Sequence, residues 1–251
     1  MFTKRDISKL LFFDIQTASA EPNFHALDEE MQYLWYHKMN TYVENARNVD
    51  ICDLYNTKSQ LHAEFGRITC ISLGYISSWV DDMPIAKIKS ICDLNELNIL
   101  TEVYDILNRS TTQRFRLCGH NIKEFDIPFL IRRLLIHSLP VPHVINVMNK
   151  KPWEMNFIDT MELWQFGVSR YYISLQLLAR VLQVATFSTD IDPITMSRIF
   201  WDDQDFAKIT KYCEHNILTT MNVILRISNQ PMITAQEACD SEDTALPNPI
   251  R

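Results

Sequence analysis

The chain has 251 residues, of which 47% are hydrophobic, so it is long enough to bury a sizeable core in one or two domains. Its formal net charge of −7 argues against a protein that holds nucleic acid or a membrane through a broad basic surface. The six cysteines lack CxxC or Cys/His spacing, so neither a zinc motif nor a disulfide framework is indicated, and we expect reduced thiols in a cytoplasmic protein.

The first predicted element is a buried strand over residues 10–15, an apolar run that ends by delivering Asp14. This run is too short for a signal peptide or a membrane span, so no membrane partner is predicted. A long polar excursion over 18–64 follows, and within it residues 27–46 have helical apolar spacing. We expect one or two inserted helices there, at a place where they could cover the mouth of a site.

The remaining elements alternate in type along the chain. Two strands, over 67–76 and 84–91, are separated by a turn and give the sheet an antiparallel start. Further strands are predicted over 114–118 and 157–159. Apolar spacing predicts helices over 95–108, 124–138, 174–183 and 204–227. This order is typical of an α/β domain with a mixed sheet of the ribonuclease H type.

The composition turns polar and loses its periodicity after residue 228. We therefore place one domain at residues 1–228 and a polar, mobile C-terminal tail at 229–251. The four glycines include Gly119, which lies between the predicted fourth strand and the following helix. A glycine there permits either an ordinary turn or a close approach of the backbone to a neighbour.

Five polar side chains are candidates for chemistry because of their spacing. Asp14 and Gln16 are two apart in an extended segment, so both emerge from the same side of the strand. Asp126 lies at the start of a predicted buried helix. Tyr212 and Asn216 are four apart on the last helix and share a face. A lone aspartate at a strand end is most often a helix cap or a solvated group, so only the combination is informative.

Three segments occur in the order of the motifs of DEDD 3′–5′ exonucleases that carry a motif tyrosine. They are Asp14-Ile15-Gln16, then Gly119 to Asp126 with the pattern Gly-His-Asn-x-x-x-Phe-Asp, and Tyr212-x-x-x-Asn216. With the linking segments 64–68, 151–154 and 159–167, the chain resembles, over residues 10–228, the predicted 3′–5′ exonucleases related to the proofreading domain of family B DNA polymerases. The resemblance implies a mixed five-stranded sheet flanked by helices, with the helical insertion after the first strand.

The resemblance also implies a two-metal-ion site for Mg²⁺ or Mn²⁺ that acts on single-stranded 3′ ends of nucleic acid, DNA above all. By this implication Asp14 bridges both ions, Asp126 supports the second ion through water, and Tyr212 orients the attacking water. Gln16 and Asn216 stand where the family has glutamate and aspartate in the first metal site. The same resemblance implies substrate contacts from neighbouring motif positions, namely Thr17, Asn121 and Phe125.

The two amides reduce the charge of the implied site from four negative groups to two. Hard cations bind through ligand charge as well as geometry, so we expect weak binding of the first ion and a large loss of turnover. Asp159 is a candidate substitute ligand, although capping the segment after it is the commoner role. His215 is adjacent to Asn216 on the helix and is expected to face away from the site. Arg132 and Arg133 either meet phosphates or lie on a solvated helix face.

Three functions of different classes remain open from the sequence. The chain is an exonuclease with reduced hydrolysis, a nucleic-acid-binding module without catalysis, or a protein-interaction scaffold that retains only the fold. The ordered motifs favour the first, the loss of two carboxylates favours the second, and the acidic charge balance supports the third.

Overall fold

The computed structural model describes residues 1–45, 50–109, 114–168, 171–185, 191, 193–233 and 238–240. A mixed sheet runs through the centre of the molecule. Its strands are Leu10–Ser19 (β1), Gly66–Val80 (β2), Met83–Cys92 (β3), Arg116–Gly119 (β4), Ile158–Asp159 (β5) and Ala238–Asp240 (β6). Their order across the sheet is β5-β4-β1-β2-β3-β6, with β1, β2 and β3 antiparallel to one another in turn and the other pairings parallel. The predicted ribonuclease H-like α/β fold is confirmed, and β6 extends the five predicted strands at the β3 edge.

Helices cover both faces of this sheet and form the insertion after β1. They are Lys4–Ile7 (α1), Glu29–Asn45 (α2), Ile51–Lys58 (α3), Glu96–Asn108 (α4), Asp126–Ile136 (α5), Thr160–Gln165 (α6), Leu175–Val181 (α7), Pro193–Arg198 (α8) and Phe206–Ile227 (α9). The predicted insertion is confirmed as α2 and α3. The sequence did not predict α1, α6 or α8, because helices of four to six residues are too short to show apolar periodicity.

The strand that bears Asp14 is longer than predicted. β1 continues to Ser19, and Gln16 pairs with Cys70 of β2, with a register shift between Gln16 and Thr17. The expectation that the strand ends where it delivers Asp14 was therefore wrong. The polar residues Gln16 and Thr17 stay in the strand because the backbone ladder to β2 continues past them and their side chains find hydrogen-bond partners.

Alternate side chains of β1 enter two different cores. Leu11 and Phe13 pack with residues of α4 and α5 on one face of the sheet, whereas Leu10 and Phe12 pack with α9 on the other. Gly74 allows α9 to lie close to β2, since a Cβ at this position would come within 2.6 Å of a methyl carbon of Met221. This close packing holds the α9 end that bears the third motif over the middle of β1.

The predicted boundary after residue 228 agrees with the end of α9 at Ile227. Residues just beyond it still pack on that helix, since Asn222 exchanges two hydrogen bonds with the backbone of Ile233, at 2.8 and 3.0 Å. Most of the predicted tail over 229–251 lies outside the described residues, so the domain division stays a prediction. Across the described part of the chain, every helix is too short or too polar to cross a membrane.

Candidate active site

The side chain of Asp14 is the meeting point of the first and third motifs. Its Oδ2 accepts a hydrogen bond from Gln16 Nε2 at 2.6 Å and one from Asn216 Nδ2 at 3.3 Å. The thiol of Cys213 donates to the same oxygen at 3.3 Å. The predicted common face of Asp14 and Gln16 is thus confirmed, and α9 brings Asn216 to it from two hundred residues away.

Asp126 lies against the neighbouring stretch of β1. Its Oδ1 accepts from the backbone N–H of Ile15 at 3.0 Å, and the residue is only 4% exposed. Burial raises the pKa of Asp126 well above 3.8, and the charge of Asp14 raises it further. Burial also raises the pKa of Asp14, to about 6, against the opposing hydrogen bonds from Cys213, Gln16 and Asn216. The two carboxyl groups therefore disfavour full ionisation of both near neutral pH.

Tyr212 lies one helical turn before Asn216, as its spacing predicts. Burial and the charge of Asp14 raise the pKa of the Tyr212 hydroxyl, while side-chain hydrogen bonds from Asn216 and Gln176 lower it. Gln176 belongs to α7, so the start of that helix also borders the site. The tyrosine is half-buried and remains a protonated phenol at neutral pH.

The three predicted substrate contacts differ in their surroundings. Thr17 is buried and donates its hydroxyl to the backbone carbonyl of Gln60 at 2.8 Å, which ties β1 to the insertion. Asn121 has a left-handed backbone with φ of 59°, and within the described residues its buried Oδ1 has no hydrogen-bond partner. Phe125 is half-buried, with its ring centroid 5.5 Å from that of Phe129. Substrate binding by these residues stays a prediction.

The role of Asp159 is structural. Its Oδ1 accepts from the backbone N–H groups of Asn121 and Met161, each at 2.9 Å, and its Oδ2 accepts from Lys123 N at 3.2 Å. The carboxylate caps α6 and fixes the turn before α5, so the capping alternative is confirmed, and service as a substitute metal ligand stays an untested alternative. Gly119 serves a close approach, because a Cβ there would lie 2.9 Å from the carbonyl oxygen of Phe13 on β1.

A model of predicted 3′–5′ exonucleases related to the exonuclease domain of PolB matches residues 58–246. The chain belongs to this family. The match includes Asp126, Tyr212 and Asn216 but begins after β1, so Asp14 and Gln16 lie outside it. The exonuclease resemblance seen in the sequence is confirmed, and no curated protein matches the chain.

Exonuclease domains of this kind generally use divalent metal ions. The side chains present at the site therefore decide whether this chain can bind such ions. Among the described residues, no group of three or more His, Cys, Asp or Glu side chains could hold a metal ion. Two of the four ligand positions that the sequence resemblance implies are amides, and the nitrogens of both donate to Asp14. The residues present therefore do not fit a pair of divalent ions.

Sequence reasoning missed Cys213, which contributes the third donor to Asp14. Cys213 is fully buried, burial raises the pKa of its thiol to about 11, and its sulfur also lies 3.5 Å from the carbonyl oxygen of Asp14. The available signal was its position three residues before Asn216, which places both on one face of α9. Its high pKa keeps the thiol protonated, so that it acts as a donor.

The paired arginines on α5 lie in different surroundings, since Arg132 is exposed, in agreement with the solvated-face alternative, whereas Arg133 is buried. Arg133 is buried and donates to both carboxylate oxygens of Glu96, from Nε at 2.9 Å and from an Nη at 2.5 Å. Glu96 also accepts from the backbone of Ile68 at 2.7 Å and from His137 at 2.9 Å. Both alternatives for Arg133, phosphate contact and a solvated helix face, were therefore wrong. The apolar spacing of α5 does not reveal a buried ion pair.

Proposed function

We propose that the chain is a 3′–5′ exonuclease-like protein that binds single-stranded 3′ ends of nucleic acid, DNA above all, and has lost most of its capacity for hydrolysis. The observation that carries this proposal is the arrangement at Asp14. One carboxylate oxygen accepts hydrogen bonds from two amides that occupy the family's carboxylate positions, and a third from a thiol. Family membership supports the nucleic-acid substrate.

The electrostatics of these contacts support a loss of hydrolysis. Four carboxylates at such a site repel one another and bind divalent cations to offset that repulsion. Here the N–H groups of Gln16 and Asn216 stabilise the charged form of Asp14 without any ion. A cation that bound Asp14 would displace these donors and gain only neutral amide oxygens in return. We therefore propose weak binding of Mg²⁺ or Mn²⁺, the ions that the family resemblance implies.

The same contacts favour one further candidate, a binding module that has no residual catalysis. It would keep Asn121 and Phe125, which belong to the same motif as Asp126, for contact with the strand, while the donors around Asp14 replace the cations. The free thiols of the described cysteines support a cytoplasmic location for either function.

A cleavage assay separates these functions. The wild-type protein and a Gln16→Glu/Asn216→Asp double variant are incubated with a 5′-labelled single-stranded oligonucleotide in Mg²⁺ and in Mn²⁺. A double variant with Asn108→Asp and Asn146→Asp adds the same two charges outside the site and is the matched control. We expect stepwise shortening by the Gln16→Glu/Asn216→Asp variant at a rate at least about 100-fold above the wild type.

Equal cleavage by the wild type and the variant would contradict the proposed loss of hydrolysis. If neither protein cleaves, oligonucleotide binding decides the outcome. Retention of the labelled strand by the wild-type protein then establishes the silent binding module. No retention above that of an unrelated acidic protein leaves the interaction scaffold, which the net charge of −7 supports.

A further inference from the structure

A polar pocket of about 400 Å³ lies at the far end of β1 from Asp14. It is an open pocket, bordered by the end of β1, the loop that follows it, α3, α8 and the π-helical turn Ile199–Asp203. Its volume is within the range of pockets that hold small organic ligands. Ser19 in this pocket lies five positions after Asp14 on β1, a span of about 16 Å.

The hydroxyl of Ser19 is the most informative group in the pocket. Ser19 is only 1% exposed, and in the described part of the chain its Oγ has no hydrogen-bond partner. Its backbone is satisfied, because its N–H donates to Ser197 Oγ at 2.9 Å and its carbonyl accepts from Trp201 Nε1 at 3.0 Å. A buried hydroxyl without a partner costs stability, and because Ser19 also lines a pocket, a ligand there could complete its hydrogen bonding.

The facing wall supplies amides. Asn23 in the loop after β1 and Asn56 on α3 both line the pocket and are exposed. Oδ1 of Asn23 already accepts from the backbone N–H of Ala26 at 3.2 Å, so Asn23 offers its amide N–H groups to a ligand. A carboxamide presents a donor and an acceptor side by side, which matches the edge of a nucleobase. Pro22 and the indole of Trp201 add apolar surface for the flat faces of such a ring.

The charges of the pocket disfavour a phosphate. Arg198 lines it, but its Nη1 is already bound to both carboxylate oxygens of Asp203, at 2.8 and 3.0 Å. Asp202 adds a carboxylate to the lining. We therefore expect an uncharged group to enter the pocket. An amino group on its ring could donate a hydrogen bond to the Asp202 carboxylate.

We propose that this pocket takes one nucleobase of the bound single strand, a few nucleotides away from the end held at Asp14, and gives the protein a base preference. This inference rests on the proposed function, because it places the base on the same strand. Ser19, Asn23 and Asn56 hold the hydrogen-bonding edge of the base, and its backbone phosphates stay outside. Binding of this kind is selective, unlike stacking alone, because the fixed polar groups of the pocket wall match the donors and acceptors of one base edge better than those of another.

A matched pair of serine variants tests the pocket. Ser59 is also fully buried with an Oγ that has no partner within the described residues, but it does not line the pocket. Binding of the four 2′-deoxynucleosides to the full chain is measured for the wild type, Ser19→Ala and Ser59→Ala, together with the Tm of each protein. We expect one nucleoside to bind best, and Ser19→Ala to weaken it about ten-fold.

The expected signature combines affinity and stability. Both variants remove an unpaired hydroxyl, so both keep or raise the Tm, but only Ser19→Ala loses nucleoside affinity. Asn56→Ala is expected to weaken the binding of the same nucleoside without a change in Tm. Asn108→Ala on α4 is the control and is expected to leave nucleoside affinity unchanged. The proposal is overturned if no nucleoside binds, or if Ser59→Ala weakens binding as much as Ser19→Ala.

Oligonucleotide binding distinguishes this failure from failure of the proposed function. If single strands bind the wild type and Ser19→Ala equally and without base preference, the pocket proposal is wrong and the exonuclease-like function stands. If nucleosides bind in the Ser19-dependent way but single strands do not, the base site is real and the proposed strand function fails.

Discussion

Gln16 Nε2 lies 2.6 Å from Oδ2 of Asp14, and the two residues emerge from the same face of β1. An amide in this position donates to the carboxylate, whereas the glutamate that the sequence resemblance implies here would repel it. The substitution thus changes a pair that needs a cation into a pair that is stable without one.

The first prediction concerns the stability of the Gln16→Glu/Asn216→Asp variant. Without divalent ions it should unfold about 2–4 kcal/mol more easily than the wild type, because Asp14 loses two donors and gains two like charges. Mg²⁺ should restore much of this difference and leave the wild type unchanged. Urea unfolding with EDTA and with Mg²⁺ measures both effects, and an equal Mg²⁺ response of the wild type would contradict the prediction.

The second prediction concerns Asp126 and pH. The folded pKa of Asp126 is raised above 3.8, so its contribution to stability is greatest at low pH and is lost as the pH rises through the folded value. Asp126→Asn retains an oxygen that accepts from Ile15 N–H but removes the charge. The variant should therefore be about 1–3 kcal/mol more stable than the wild type at pH 7.5 and no more stable below pH 3.8.

Asp93 is a control whose pKa shifts in the opposite direction to that of Asp126. Hydrogen bonds from the Asn98 side chain and the Asn95 backbone lower the pKa of this exposed carboxyl. Asp93→Asn should thus lose stability at neutral pH, and the loss should vanish in acid. Urea unfolding across the same pH series tests both variants, and parallel behaviour of Asp93→Asn and Asp126→Asn would refute the assigned causes.

The third prediction separates capping from metal binding at Asp159. Asp159→Ala should cost about 2–4 kcal/mol in unfolding free energy, because three backbone N–H groups lose their acceptor. Asp159→Asn in the Gln16→Glu/Asn216→Asp background keeps part of the cap and should leave the cleavage rate within a few-fold. Loss of cleavage in a folded Asp159→Asn protein would show that Asp159 is a ligand after all.

The fourth prediction compares two ion pairs. Glu96→Ala leaves Arg133 buried without its carboxylate and should cost about 3–5 kcal/mol. Glu102→Ala breaks a more exposed pair, with Lys89 at 2.6 Å, and should cost no more than about 1 kcal/mol. Chemical unfolding of both variants gives the comparison, which fails if the two costs are similar.

Long apolar patterns were sufficient to predict much of the fold. Three apolar patterns each predict an element that is present. They are the apolar face of α4, the continuous apolar segment of β1 and the helical spacing of apolar residues within the insertion. Short elements such as α6 and α8 were not predictable, because their position depends on the Asp159 cap and on packing against β1. The extension of β1 to Ser19 depends on pairing with β2, which its own polar residues do not reveal.

The sequence by itself predicted, through the order of its motifs, that Asp14, Asp126, Tyr212 and the amides Gln16 and Asn216 belong to one site, with two carboxylates fewer than the resemblance implies. Motif order and residue type are enough to make this prediction without coordinates. Only the tertiary structure decided that both amides present nitrogen to Asp14, that Cys213 joins them, and that Asp159 is used as a cap. The reason is physical, because spacing sets the face from which a side chain emerges, whereas its hydrogen-bond partner depends on segments folded against it from elsewhere in the chain.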